Sequence, residues 1–228
     1  MISIKNLTVQ FSKNVVLDNI SIDFPSNRIY GVVGLNGAGK TTFFNSLSTN
    51  LKIDSGSITV HSQLINSRDI AYLETNNFFY SRLTGEEYLN IFQQTNPDFN
   101  LDTLQEFMQL PLDELIESYS TGMKKKLALL GILKQKRSIF LLDEPFNGLD
   151  LETNKILELI IVTLKTKNKT VFLSSHIIDP LLTVCDEIHF LEHGKFTKKF
   201  EKADFNKIED ELFRKLKTAA QQKITNAI

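Results

Sequence analysis

Apolar and polar residues alternate in the first part of the chain with the two-residue period of half-buried β-strands. Ile20, Ile22 and Phe24 flank Ser21 and Asp23, Ile58 and Val60 sit inward within residues 57–61, and Ile2 and Ile4 alternate with polar neighbours. Residues 28–33 instead form a mainly apolar run that ends in a glycine-rich loop, the pattern of a strand covered on both faces. The period then changes. Residues 85–95, 101–108 and 123–135 carry apolar side chains at helical spacing, punctuated by Pro97 and Pro111, which predicts a helical lobe over about residues 76–136 inserted in an α/β core. Short buried strands return at 138–142 and 170–174 around a helix over 152–165, an order that favours a parallel sheet. Phe205, Ile208, Leu212, Leu216 and Ala219 fall on one stripe and predict an amphipathic helix over about 204–226. There is no internal repeat, so residues 1–228 read as a single α/β domain.

Composition narrows this further. At 228 residues, with 42% hydrophobic and 23% charged side chains, the chain has the make-up of an ordinary globular domain rather than a disordered one. The net charge of −1 shows no basic excess, so no nucleic-acid partner is expected. A single cysteine, Cys185, excludes an internal disulfide and a multi-cysteine zinc site. No run approaches the roughly 18 apolar residues of a membrane span, and residues 1–10 lack the form of a signal peptide. The expectation is a cytoplasmic protein; any work at a membrane would need a separate chain to supply the span.

The chemistry begins at Gly34-Leu35-Asn36-Gly37-Ala38-Gly39-Lys40-Thr41, which fits G-x-x-x-x-G-K-[ST] between a buried strand and a helix. Its glycines let successive backbone N–H groups face one anion, and the helix start adds its dipole. Lys40 is placed to reach the β- and γ-phosphates, the Thr41 hydroxyl to bind Mg²⁺, and Thr42 to hold the α-phosphate. Residues 139–144, Ile-Phe-Leu-Leu-Asp-Glu, form an apolar strand ending in two carboxylates. In a parallel sheet that end faces the ligand crevice, so Asp143 suits the Mg²⁺ shell and Glu144 an attacking water. His176 follows another apolar strand and falls at the same edge.

These motifs, in this order, resemble the ATP-binding subunits of ABC transporters over roughly residues 1–200. The D-loop resembles Asn147-Gly148-Leu149-Asp150 and the switch histidine His176. The most specific element is Tyr119-Ser120-Thr121-Gly122-Met123-Lys124, similar to the ABC signature sequence in a form common among exporter-type subunits. The resemblance implies a P-loop NTPase core with a mostly parallel sheet and an N-terminal antiparallel β-subdomain. It also implies ATP hydrolysis with Glu144 as general base, His176 positioning the γ-phosphate, and Phe11 stacking on adenine. Ser120 and Gly122 would complete the site of a second subunit in a head-to-tail dimer, homo- or heteromeric. An integral membrane subunit would be the partner, with its short helix received near Phe78-Phe79-Tyr80; the location would then be peripheral at the inner face of the cell membrane. At least one of those aromatics is expected to be exposed. One departure stands out: Thr75, flanked by Glu74 and Asn76, occupies the place of the family's Q-loop glutamine. A soluble ATPase of the same family acting on the ribosome or DNA is the alternative.

Overall fold

Chain reversal at residues 12–13 pairs Ile2–Phe11 (β1) with Asn14–Phe24 (β2) as antiparallel strands, in a computed structural model that describes residues 1–208. The chain then enters Ile29–Val33 (β3), all five residues buried, passes through the glycine-rich loop into Lys40–Leu47 (α1), and returns for Ser55–Val60 (β4) and Gln63–Leu64 (β5). β2-β1-β4-β5 is the antiparallel N-terminal sheet.

The second sheet takes β3 with Ile70–Leu73 (β6), Ile139–Asp143 (β7), Thr170–Ser175 (β8), Glu187–Glu192 (β9) and Lys195–Glu201 (β10), in the order β10-β9-β3-β8-β7-β6. All its pairings are parallel except β10 against β9. The register places Val33 opposite Ser175 and Asp143 opposite Ser174, so the carboxyl ends of β3, β7 and β8 open on one edge. Ligands of open α/β sheets bind at such an edge.

Between the two sheets lies an aromatic core. Phe24, Tyr30, Phe43, Phe44 and Phe172 are fully buried, and Phe24 meets Tyr30 and Phe172 edge to face at 4.9 and 5.0 Å. Burying a phenylalanine side chain is worth about 1.5–3 kcal/mol. Phe43 and Phe44 therefore fasten α1, and with it the loop before it, to both sheets. A second core on the other side of the large sheet joins β6, β7 and β8 to Thr121–Leu133 (α4), Leu151–Thr166 (α5) and Asp179–Val184 (α6).

Three α-helices lie between β6 and β7, close to the spans that the apolar spacing predicts. Gly85–Ile91 (α2) starts at a capping box between Thr84 and Glu87, and Leu101–Met108 (α3) has the predicted bounds. α2 stops four residues before the predicted 95 because Phe92 leaves the helix to lie over Gly131 of α4; a Cβ on that glycine would come within 2.8 Å of the ring. Residues 95 and 96 then bond through their N–H groups to the Lys134 carbonyl. α4 begins two residues earlier than the apolar spacing suggests, because Ser120 caps it by accepting from the Met123 N–H. Of the predicted C-terminal stripe, Phe205 and Ile208 are buried; Leu212, Leu216 and Ala219 lie outside the described residues. Among the described residues no helix is long and apolar enough to cross a membrane.

Candidate nucleotide site

The phosphate loop is shaped by its glycines. Gly39 caps α1 at φ +104°, a left-handed conformation costly to residues with a side chain, and a Cβ there would press on the Val16 carbonyl and Leu17 of β2. The cap carries no side-chain hydrogen bond, so the N–H groups of the first helical turn stay open toward an anion. Leu35, Asn36 and Gly37 are exposed at the loop's crest. An open cleft of about 660 Å³ runs beside it, bounded by residues 34–38, His176, Ile178, Glu192 and His193.

Four predicted residues converge below the loop. Lys40 is buried, and its Nζ donates to the Gly34 carbonyl at 2.8 Å and faces Glu144 Oε1 at 3.6 Å. Thr41 Oγ1 donates to Asp143 Oδ2 at 2.8 Å, while Asp143 Oδ1 accepts from Ser174 Oγ. Asp143 is fully buried, with two hydroxyl donors and a hydroxyl-plus-carboxylate oxygen pair beside the phosphate loop. Such oxygens suit a hard cation that takes its remaining ligands from phosphate and water. No group of three or more acidic, histidine or cysteine side chains able to hold a metal occurs among the described residues.

Glu144 is the most heavily constrained. Its backbone sits at φ +49°, a left-handed conformation that costs a non-glycine residue about 1–3 kcal/mol and persists only where its surroundings hold it. Its N–H donates to Ser174 Oγ at 2.9 Å. Its Oε2 is 3.0 Å from His176 Nδ1 and accepts from Asn147 Nδ2 at 3.3 Å. The carboxylate thus lies between the loop lysine and the histidine after β8, with its backbone turned out of the strand.

The remaining predicted residues lie outside this cluster, two of them close to the loop. Phe11 ends β1, half exposed, on the hairpin whose second strand rests on Gly39. Thr42 lies in the first turn of α1. Ser120 and Gly122 begin α4 against the D-loop rather than against the phosphate loop: a Cβ on Gly122 would stand 3.1 Å from the Gly148 carbonyl. Thr75 Oγ1 donates to the Asp143 carbonyl at 3.5 Å, so it touches the backbone at the end of β7.

Three residues of this site escape a motif reading: Ser174, Asn147 as a side chain, and Lys125. Only Ser174 leaves a trace in sequence, as one of the two serines that close a buried strand.

A phosphate loop at the carboxyl edge of a mainly parallel sheet, with an acidic strand end and a histidine beside it, defines a P-loop nucleoside triphosphatase. The ABC transporter family model matches residues 17–147, and the chain belongs to that family as an ATP-binding subunit that hydrolyses ATP to drive transport. The ABC transporter ATP-binding protein YtrB of Bacillus subtilis is 28% identical over 86% of this chain and 70% of its own length. The bacitracin transport ATP-binding protein BcrA of Enterococcus faecalis is 26% identical over 91% of this chain and 71% of its own. Among solved structures, an ATP-binding subunit of an ABC transporter superposes with a TM-score of 0.83 at 23% identity, covering 93% of this chain and 94% of that one. This last likeness bears on the fold.

Proposed function

We propose that the protein powers export through a separate membrane-spanning subunit, working at the inner face of the membrane as one half of a head-to-tail pair. ATP lies on residues 34–42 with its adenine on Phe11, where stacking adds about 0.5–1.5 kcal/mol beyond burial. Lys40 holds the β- and γ-phosphates. Thr41 and Asp143 would hold Mg²⁺, which when bound neutralises developing phosphate charge. Glu144 accepts the proton of the attacking water, and His176 steadies both that carboxylate and the γ-phosphate. Ser120 and Gly122, at a capped helix start, meet the γ-phosphate on the opposite subunit. ATP binding then closes the pair and hydrolysis releases it. Similarity to proteins named for bacitracin and lantibiotic transport supports a role in transport, and the form of the sequence at residues 119–124 is what leans toward export.

The observation that carries this reading is the Glu144 carboxylate, poised between Lys40 at 3.6 Å and His176 at 3.0 Å. Replacing it by Glu144→Gln keeps the shape and removes the base. General-base catalysis is worth about 10²–10⁴-fold, so hydrolysis should fall by that order while ATP still binds and the protein accumulates as an ATP-bound dimer on size exclusion. Hydrolysis at the wild-type rate would remove Glu144 from the mechanism.

A further inference from the structure

Beneath the acidic loop lies a buried lysine that none of the roles above uses. Lys125, within α4, is only 6% exposed. Its Nζ donates not to a carboxylate but to two main-chain carbonyls, Glu144 at 2.8 Å and Asn147 at 2.7 Å. Burial pushes its pKa down, against the pull of the Glu144 and Asp143 carboxylates. An apolar side chain would fill this place at lower desolvation cost, so packing alone does not account for an ammonium here.

What the ammonium holds is the turn that presents Glu144. That residue's left-handed backbone is gripped on one side by Ser174, through the N–H, and on the other by Lys125, through the carbonyl. The second carbonyl belongs to Asn147, whose side chain donates to the Glu144 carboxylate. Charge-assisted hydrogen bonds are the strong ones, and two from one group fix both ends of a short turn. The anchor is also the helix that Ser120 caps, and its start packs on the Gly148 carbonyl.

We propose that Lys125 is a positioning residue: its ammonium fastens the turn at residues 144–147 to α4, so that the Glu144 carboxylate is held toward the phosphate loop and moves as one body with the Ser120 end of that helix. This rests on Glu144 being the general base. Lys125 touches no substrate and acts only through that turn.

The test compares Lys125→Met, which keeps a buried stem without donors, with Lys125→Gln, which keeps a shorter donor, in the full chain at saturating Mg–ATP. A misplacement of about 1 Å can cost on the order of 10²-fold, so Lys125→Met should lower kcat roughly 10–100-fold. ATP affinity by calorimetry should be unchanged, because the phosphate loop is untouched, and Lys125→Gln should fall between. In a Glu144→Gln background Lys125→Met should cost nothing further, as expected of residues acting as one unit. A merely structural lysine would lower the unfolding temperature and the folded fraction and leave kcat per folded molecule at the wild-type value. That result overturns the proposal, as does a loss of ATP affinity matching the loss of kcat, or full additivity with Glu144→Gln. Should Lys125→Met not fold, Lys125→Gln decides by the same two constants. Wild-type hydrolysis by Glu144→Gln alone would instead refute the base assignment and this proposal with it, whereas an inactive Glu144→Gln beside a fully active Lys125→Met refutes only the latter.

Discussion

Lys40 is the residue on which the phosphate loop's electrostatics turn. Its ammonium sits between the Gly34 carbonyl and the Glu144 carboxylate, both in a buried setting where charge interactions are stronger than in water. On the proposed reading, a triphosphate on the loop competes for that same charge. Lys40→Ala removes it and leaves the Glu144 carboxylate, 8% exposed, without its nearest cation. A hydrogen bond to a charged group contributes about 1.5–3 kcal/mol, so ATP affinity measured by calorimetry should fall roughly 10–150-fold, with hydrolysis falling too. Equal affinity in the variant and the wild type would contradict the phosphate-loop assignment. Lys40, Thr41, Asp143, Glu144 and His176 can be read from sequence because each lies in or directly after a contiguous run whose local geometry is set by the strand preceding it. The roles of Lys125, Asn147 and Ser174 are not legible in that way: Lys125 and Ser174 reach the acidic loop from α4 and from a neighbouring strand, and the Asn147 side chain meets Glu144 only because the loop turns back between them. Only tertiary packing brings Lys125 to Glu144 from α4, or Ser174 to Asp143 from β8.

At the scale of elements, the lobe shows how far periodicity reaches. Helical spacing finds α3 at its bounds and α2 and α4 within a few residues, and the misses have local causes: Phe92 packing on Gly131, and Ser120 capping ahead of the first apolar position. The strands β9 and β10 are not read from the pattern at all. β9 is nearly all buried, and β10 alternates weakly along a charged edge. The three aromatics before α2 divide as expected of consecutive residues. Phe79 packs on Tyr88, with ring centroids 4.9 Å apart, whereas Phe78 and Tyr80 are 73% and 59% exposed and meet each other edge to face at 5.1 Å. Exposed paired aromatics anchor partner helices well. On the proposed reading, Phe78→Ala and Tyr80→Ala should lose co-purification with the membrane subunit while unfolding near the wild-type temperature. Phe79→Ala should lower that temperature. If all three only destabilise and the folded fraction still binds, the docking face lies elsewhere.

At the scale of the whole molecule, the parallel sheet and its active edge follow from the order of strands and helices, and the N-terminal antiparallel sheet forms as the family resemblance implies. The two candidate anion-binding helix starts stand on different elements, as the order of the motifs along the chain implies. The phosphate loop leads into α1, and Ser120 with Gly122 leads into α4 against the D-loop. On the proposed reading, the Ser120-capped start of α4, which has no phosphate loop of its own, meets a nucleotide carried on another subunit. This is the central claim of the account, and mixing two defective chains tests it most directly. Ser120→Arg spoils the donor half and Lys40→Ala the loop half. A mixed dimer therefore has one site with both halves intact and one with neither. The account predicts that the mixture hydrolyses ATP faster than either variant alone at the same total concentration. No recovery, in samples where crosslinking demonstrates mixed dimers, would contradict it and mean that each subunit completes its site alone.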